Sequence, residues 1–148
     1  MKTTKILVQK PEIGLSEDNK AKLQSLEIYK DKNHFKFSNG WVDLAYELGK
    51  NIEEVCKLAN CELPKIEAMY NKYNTLRVDY HFNSPVPKIV ETLIDSLIYV
   101  TEDKSERICE YCGANDEIET TEKNNHYINA CEKCFDRKEI LNRKEVKK

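Results

Sequence analysis

Four of the six cysteines fall into two Cys-x-x-Cys pairs, Cys109-Glu110-Tyr111-Cys112 and Cys131-Glu132-Lys133-Cys134, with eighteen residues between them. One such pair wraps an edge of a metal ion as a tight knuckle, and two supply the four thiolates of a tetrahedral Zn²⁺. Gly113 directly follows the first pair and offers the permissive backbone that this turn tends to need. Four thiolates close the coordination sphere and leave no position for water or substrate. The pattern therefore predicts one structural Zn²⁺ held by Cys109, Cys112, Cys131 and Cys134. His126, lying between the pairs, is the alternative ligand.

The remaining reactive side chains have plainer readings. A redox role for the Cys-x-x-Cys pairs lacks the βαβ setting expected of one. Cys56 and Cys61 read as small buried apolar residues. His34 and His81 have no carboxylate or cysteine at a meaningful spacing. Asp43 and Glu47 lie four apart on one helical face, where carboxylates are ordinarily just solvated. Trp41 reads as a core anchor rather than a recognition patch. There is no Gly-rich phosphate loop, no Ser/His/Asp set and no open metal site, so no catalytic residue is assigned and an enzyme is not expected.

The elements that must position the cysteines follow from periodicity. Thr4 to Gln9 has the content of a short strand, ended by Pro11 and Gly14. Ser16 is placed to cap a helix running to about Tyr29, with Glu17 and Asp18 in its first turn. Leu23, Leu26 and either Ile28 or Tyr29 make its narrow apolar face. His34-Phe35-Lys36-Phe37 alternates like a short strand. Trp41, Leu44, Ala45, Leu48, Ile52, Val55, Cys56 and Ala59 then recur at helical steps. Gly49 lets this stripe run as one helix, or break into two with Asn51 and Glu54 as a capping pair. Pro64 to Phe82 predicts a β-hairpin, with Ile66, Ala68 and Tyr70 sharing one face and Leu76, Val78, Tyr80 and Phe82 the other strand's apolar face. Asn71 to Thr75 has turn composition. Pro87 opens a last helix whose apolar positions are Val90, Leu93, Ile94, Leu97, Ile98 and Val100.

Thr101 to Glu106 is charged and lacks apolar residues, which places a boundary between an α+β domain over 1–102 and a zinc module over 103–148. The expected fold class is α+β, with a small antiparallel sheet packed on helices. Within the module, Ile118-Glu119-Thr120 and His126-Tyr127-Ile128 pair as a small hairpin. Cys131 and Cys134 stand at the head of a helix over Phe135 to Lys144. Knuckle, hairpin and helix in that order describe a treble clef; a zinc ribbon is the alternative.

Composition bounds the partners. The net charge is −2 and the pI about 6.0, against the basic excess of a generic nucleic-acid-binding domain. No apolar run approaches the roughly 18 residues of a membrane span, and the hydrophobic stretch at the start is too short for a signal peptide. Metal-binding cysteine pairs suit a reducing cytoplasm. Arg137, Lys138, Arg143, Lys144, Lys147 and Lys148 form a basic tail able to touch nucleic-acid phosphate. Basic residues at a helix C-terminus are equally what the helix dipole favours. From Lys104 onward ten Lys/Arg balance ten Asp/Glu.

Three landmarks in sequence order carry a resemblance: Gly40-Trp41-Val42-Asp43-Leu44, Lys72-Tyr73-Asn74-Thr75-Leu76-Arg77 and Ile108-Cys109-Glu110-Tyr111-Cys112-Gly113. From about Phe35 to Phe135 this order resembles a group of small bacterial and phage proteins, generally of unknown function, that end in a Cys-x-x-Cys metal module. The sequence departs from the group's pattern at Asn74, where Gly is usual, and at the second metal-binding pair, where a Cys with a following His looks common. The resemblance implies the fold and the metal but no activity. The expected function is a non-catalytic zinc-binding protein that acts by protein–protein interaction, with toxin immunity or phage counter-defence as the analogous role. Its acidic balance suits a partner with a basic surface. The alternative is a nucleic-acid-associated regulator that uses the zinc module and the basic tail.

Overall fold

Ser16 does what its position predicts: its Oγ accepts a hydrogen bond from the Asn19 N–H at 3.2 Å and starts α1 (Glu17–Gln24). In this computed structural model, residues 14–114 are described in full, together with the backbone of strands at 118–123 and 126–131. The expected strand over Thr4–Gln9 and the expected helix over Phe135–Lys144 lie outside the described residues. After α1 the chain tightens into a 3₁₀ turn (Glu27–Tyr29) that buries Ile28 and Tyr29 together. The apolar face predicted there is thus delivered by two short elements and not by one helix.

A second 3₁₀ turn (Asn39–Trp41) leads into α2 (Val42–Ala59), which is one uninterrupted helix. Gly49 does not break it. A Cβ at Gly49 would lie 2.7 Å from the Tyr29 ring and 2.9 Å from Leu26, so the glycine lets the preceding segment pack directly on the helix. The helix ends at Asn60, whose φ of 57° places it in the left-handed region that Asn tolerates.

β1 (Lys65–Lys72) and β2 (Thr75–His81) pair antiparallel, joined by Tyr73 and Asn74. Both joining residues have positive φ, 55° and 70°, the signature of a tight primed hairpin turn. The register shifts between Ile66 and Ala68, so Glu67 is an extra residue in β1. This bulge corrects the expected face: Ile66 and Met69 are the buried residues, and Ala68 and Tyr70 are only half-buried. His34 to Phe37 forms no strand; its ladder contact is a single parallel bridge between Lys36 and Tyr70.

α3 (Lys88–Ser105) starts after Pro87 and packs on both α2 and β2. It runs on through Thr101 to Ser105, the stretch in which the sequence places the boundary, with Thr101 and Ser105 buried. The core between these elements holds Leu23, Tyr29, Phe37, Trp41, Leu48, Ile52, Met69, Leu76, Val90 and Ile94. Each fully buried aliphatic side chain contributes about 1.5–3 kcal/mol, and the Trp41 indole more. The molecule is α+β, with a two-stranded antiparallel sheet on three helices. Beyond it, β3 (Ile118–Lys123) and β4 (His126–Cys131) form the second predicted hairpin, with Ile118 opposite Cys131 and Lys123 opposite His126. Among the described residues no helix is long and apolar enough to cross a membrane.

Candidate metal centre

The first cysteine pair sits where three distant stretches of chain meet. α3 ends at Ser105, and the backbone turns through Ile108 into the Cys109–Cys112 knuckle. The Tyr111 N–H points at Cys109 Sγ at 3.4 Å. The Gly113 N–H closes on the Cys109 carbonyl at 2.9 Å, and the Cys109 N–H donates to the Ala114 carbonyl at 2.7 Å. Gly113 has φ +86°. A main-chain donor aimed back at the first sulfur suits a thiolate, because it stabilises the negative charge a metal-bound sulfur carries. Cys109 is buried and Cys112 exposed.

The knuckle is fastened to the α+β body by hydrogen bonds from two sides. From the turn before α2, the Gly40 N–H donates to the Glu110 carbonyl at 2.7 Å, and the Trp41 Nε1–H donates to the Ile108 carbonyl at 2.9 Å. A Cβ on Gly40 would collide with the Cys109 carbonyl oxygen and come within 2.6 Å of the Glu110 carbonyl group, so only glycine allows this approach. From the hairpin, Asn71 Nδ2 donates to Glu110 Oε1 at 2.8 Å, while its Oδ1 accepts from the Asn74 N–H at 3.2 Å. The Leu76 N–H donates to Ser105 Oγ at 2.9 Å, joining β2 to the end of α3. Glu110 is fully buried. A carboxyl group withdrawn from water costs free energy unless hydrogen-bonded, and the Asn71 amide supplies such a bond.

The predicted ligands are placed unequally. Cys109 and Cys112 share the docked knuckle. Cys131 has its backbone at the end of β4, and Cys134 lies outside the described residues. Among the described residues no group of three metal-ligating side chains occurs. His126 opens β4. The basic residues Arg137, Lys138, Arg143, Lys144, Lys147 and Lys148 also lie outside the described residues. The knuckle's own geometry fits half of a thiolate site, which is what its residues can be tested for.

Other sequence candidates fall as follows. Trp41 is a core anchor, fully buried, with its indole N–H satisfied by the knuckle. Asp43 is solvated and pairs with Lys22 at 3.0 Å. His81, which the sequence left isolated, meets Glu67 at 2.7 Å because the hairpin register brings the bulge residue beside it. Sequence reasoning missed Glu110, Asn71 and Gly40 as the fastening of the site. The one signal available was their spacing around the landmark stretches, which gives order but no contact.

No protein-family model, curated protein or solved structure matches this chain.

Proposed function

We propose that the protein is a non-catalytic, zinc-clamped binding module, with one Zn²⁺ held by Cys109, Cys112, Cys131 and Cys134. The observation that carries this reading is the Cys109 knuckle, with the Tyr111 N–H at 3.4 Å from the sulfur and Gly113 at positive φ. The ion supplies cross-linking and charge neutralisation, no Lewis-acid chemistry on a substrate. Gly40, Trp41 and Asn71 hold the knuckle in place on the body. A treble clef is the arrangement favoured for the metal module, since a hairpin, β3–β4, stands between the two pairs and brings Cys131 to its end.

The interaction half of the proposal rests on α3. Ile89, Leu93 and Val100 are exposed and recur along one side of this helix, with Leu97 half-buried beside them. The chain as a whole is acidic, with a net charge of −2. This surface suits a protein partner with an apolar centre and a basic rim, such as the nucleic-acid-binding face of another protein. Neutralising a toxin or a defence protein is a role that such masking would serve.

The test uses the tagged full chain as bait beside a variant carrying Leu93→Asp and Ile89→Asp. These exposed positions leave the core intact, so circular dichroism should match. A basic protein retained by the wild type and lost by the variant supports the proposal. Equal capture by both, or retention of nucleic acid in place of protein, overturns it.

A further inference from the structure

The end of α2 holds a second sulfur pair that the metal does not use. The Cys61 N–H donates to the Cys56 carbonyl at 3.0 Å, and the Asn60 N–H donates to the Lys57 carbonyl at 3.2 Å. With Asn60 left-handed at φ 57°, these two bonds make a Schellman cap. In that cap the residues donating and accepting the outer bond bring their side chains into contact, ordinarily as an apolar pair. Here both members are cysteines. Cys56 is buried at 1 % exposure, and Cys61 is half-buried against the same core with an edge open to solvent. Among the described residues no third ligand joins them to make a metal site.

We propose that Cys56 and Cys61 are a dithiol modification site, converted to an intramolecular disulfide by low-molecular-weight disulfides such as oxidised glutathione. Cys61, the solvent-reachable sulfur, attacks the glutathione disulfide, forming a mixed disulfide and releasing one glutathione, which takes up the proton Cys61 loses. Cys56 then attacks the Cys61 sulfur, breaks the bond to glutathione and releases the second glutathione with the Cys56 proton. Two thiols lose two electrons in total, and one glutathione disulfide gains them.

The order of attack follows from the surroundings. Burial pushes the Cys56 thiol up to about 12, and the neighbouring Cys61 sulfur adds to the shift by its charge and its hydrogen bond. Cys56 is therefore the poor first nucleophile. Once Cys61 is bonded to glutathione it carries no charge, so its part of the shift falls away; burial, the larger cause, stays, and the closeness of the two residues in the cap is what brings Cys56 to the adduct. The Schellman bond, already formed, keeps the two residues together throughout.

The experiment treats the purified, zinc-loaded full chain with oxidised glutathione, traps remaining thiols by alkylation and maps the peptides. The expected result is a Cys56–Cys61 cross-linked peptide, with the chain lighter by two hydrogens and without retained glutathione. Cys56→Ser should instead accumulate a stable glutathione adduct at Cys61, and Cys61→Ser should leave Cys56 unmodified. Peptide mapping separates this outcome from oxidation of Cys109, Cys112, Cys131 or Cys134, so failure of the metal reading would not imitate it. A persistent Cys61 adduct in the wild type with Cys56 still alkylated on unfolding, or two unreacted thiols, would overturn the proposal.

Discussion

At Gly40 the absence of a side chain is a structural requirement, because the Cys109 carbonyl oxygen, with the Glu110 carbonyl beside it, occupies the space a Cβ would take. Gly40→Ala should destabilise the fold by about 1–3 kcal/mol, the usual range for forcing extra atoms into a filled site. Urea denaturation monitored at the single tryptophan checks this, since Trp41 adjoins the site and donates to Ile108. An unchanged midpoint would mean that the knuckle does not press on Gly40. Tyr29 offers a test through pH. Burial, with the Glu53 carboxylate adding to it, raises the phenol well above its usual 10.0, and its hydroxyl donates to the Ala45 carbonyl at 2.7 Å. The folded value exceeds the unfolded one, so the contribution is intact below pH 10 and is lost as pH climbs above it. Each pH unit in that window should cost about 1.4 kcal/mol from this one group. Tyr29→Phe should be less stable at neutral pH but should lose stability less steeply in alkali. Parallel alkaline profiles for the two proteins would refute the assignment.

Among the elements, α2 was legible because one strong stripe of Trp, Leu and Ile at helical steps leaves little choice of period. What the stripe could not reveal was why Gly49 lies inside it, since the Tyr29 ring and Leu26 arrive from an earlier part of the chain. The hairpin was legible for the same reason, but its face was not. A one-residue bulge at Glu67 changes which residues point inward and leaves no mark in the alternation. The strand expected over His34 to Phe37 shows the opposite error: alternation was present, but only Lys36 finds a backbone partner. α3 overran its expected end because Thr101 and Ser105, though polar, are buried with their hydroxyls bonded to the Leu97 and Glu102 carbonyls. The cysteine knuckle was visible as spacing, while its seat on Gly40 and Asn71 depends on contacts across 39 and more residues. One prediction belongs to the hairpin turn. Tyr73 is exposed yet left-handed at φ 55°, a conformation costing an ordinary residue roughly 1–2 kcal/mol. Tyr73→Asn should raise the thermal midpoint, because Asn tolerates this region. A lowered midpoint would show that the Tyr73 ring, stacked under the Lys72 ammonium at 5.5 Å, contributes more than the backbone loses.

For the molecule as a whole, the proposal divides stability into a body with its own core and a metal module that depends on coordination. Zinc modules of this kind draw on the order of 10–16 kcal/mol from the metal. Chelation should therefore remove hydrogen-exchange protection from the backbone amides of β3 and β4 while leaving α2 and α3 protected. Loss of protection throughout would show that the body cannot stand without the ion. The most direct measurement is elemental analysis of freshly purified full-length chain beside its Cys109→Ser and Cys131→Ser variants. One zinc per chain, lost from both variants, is the predicted result. No stoichiometric metal in the wild type, or undiminished zinc in either variant, would contradict it.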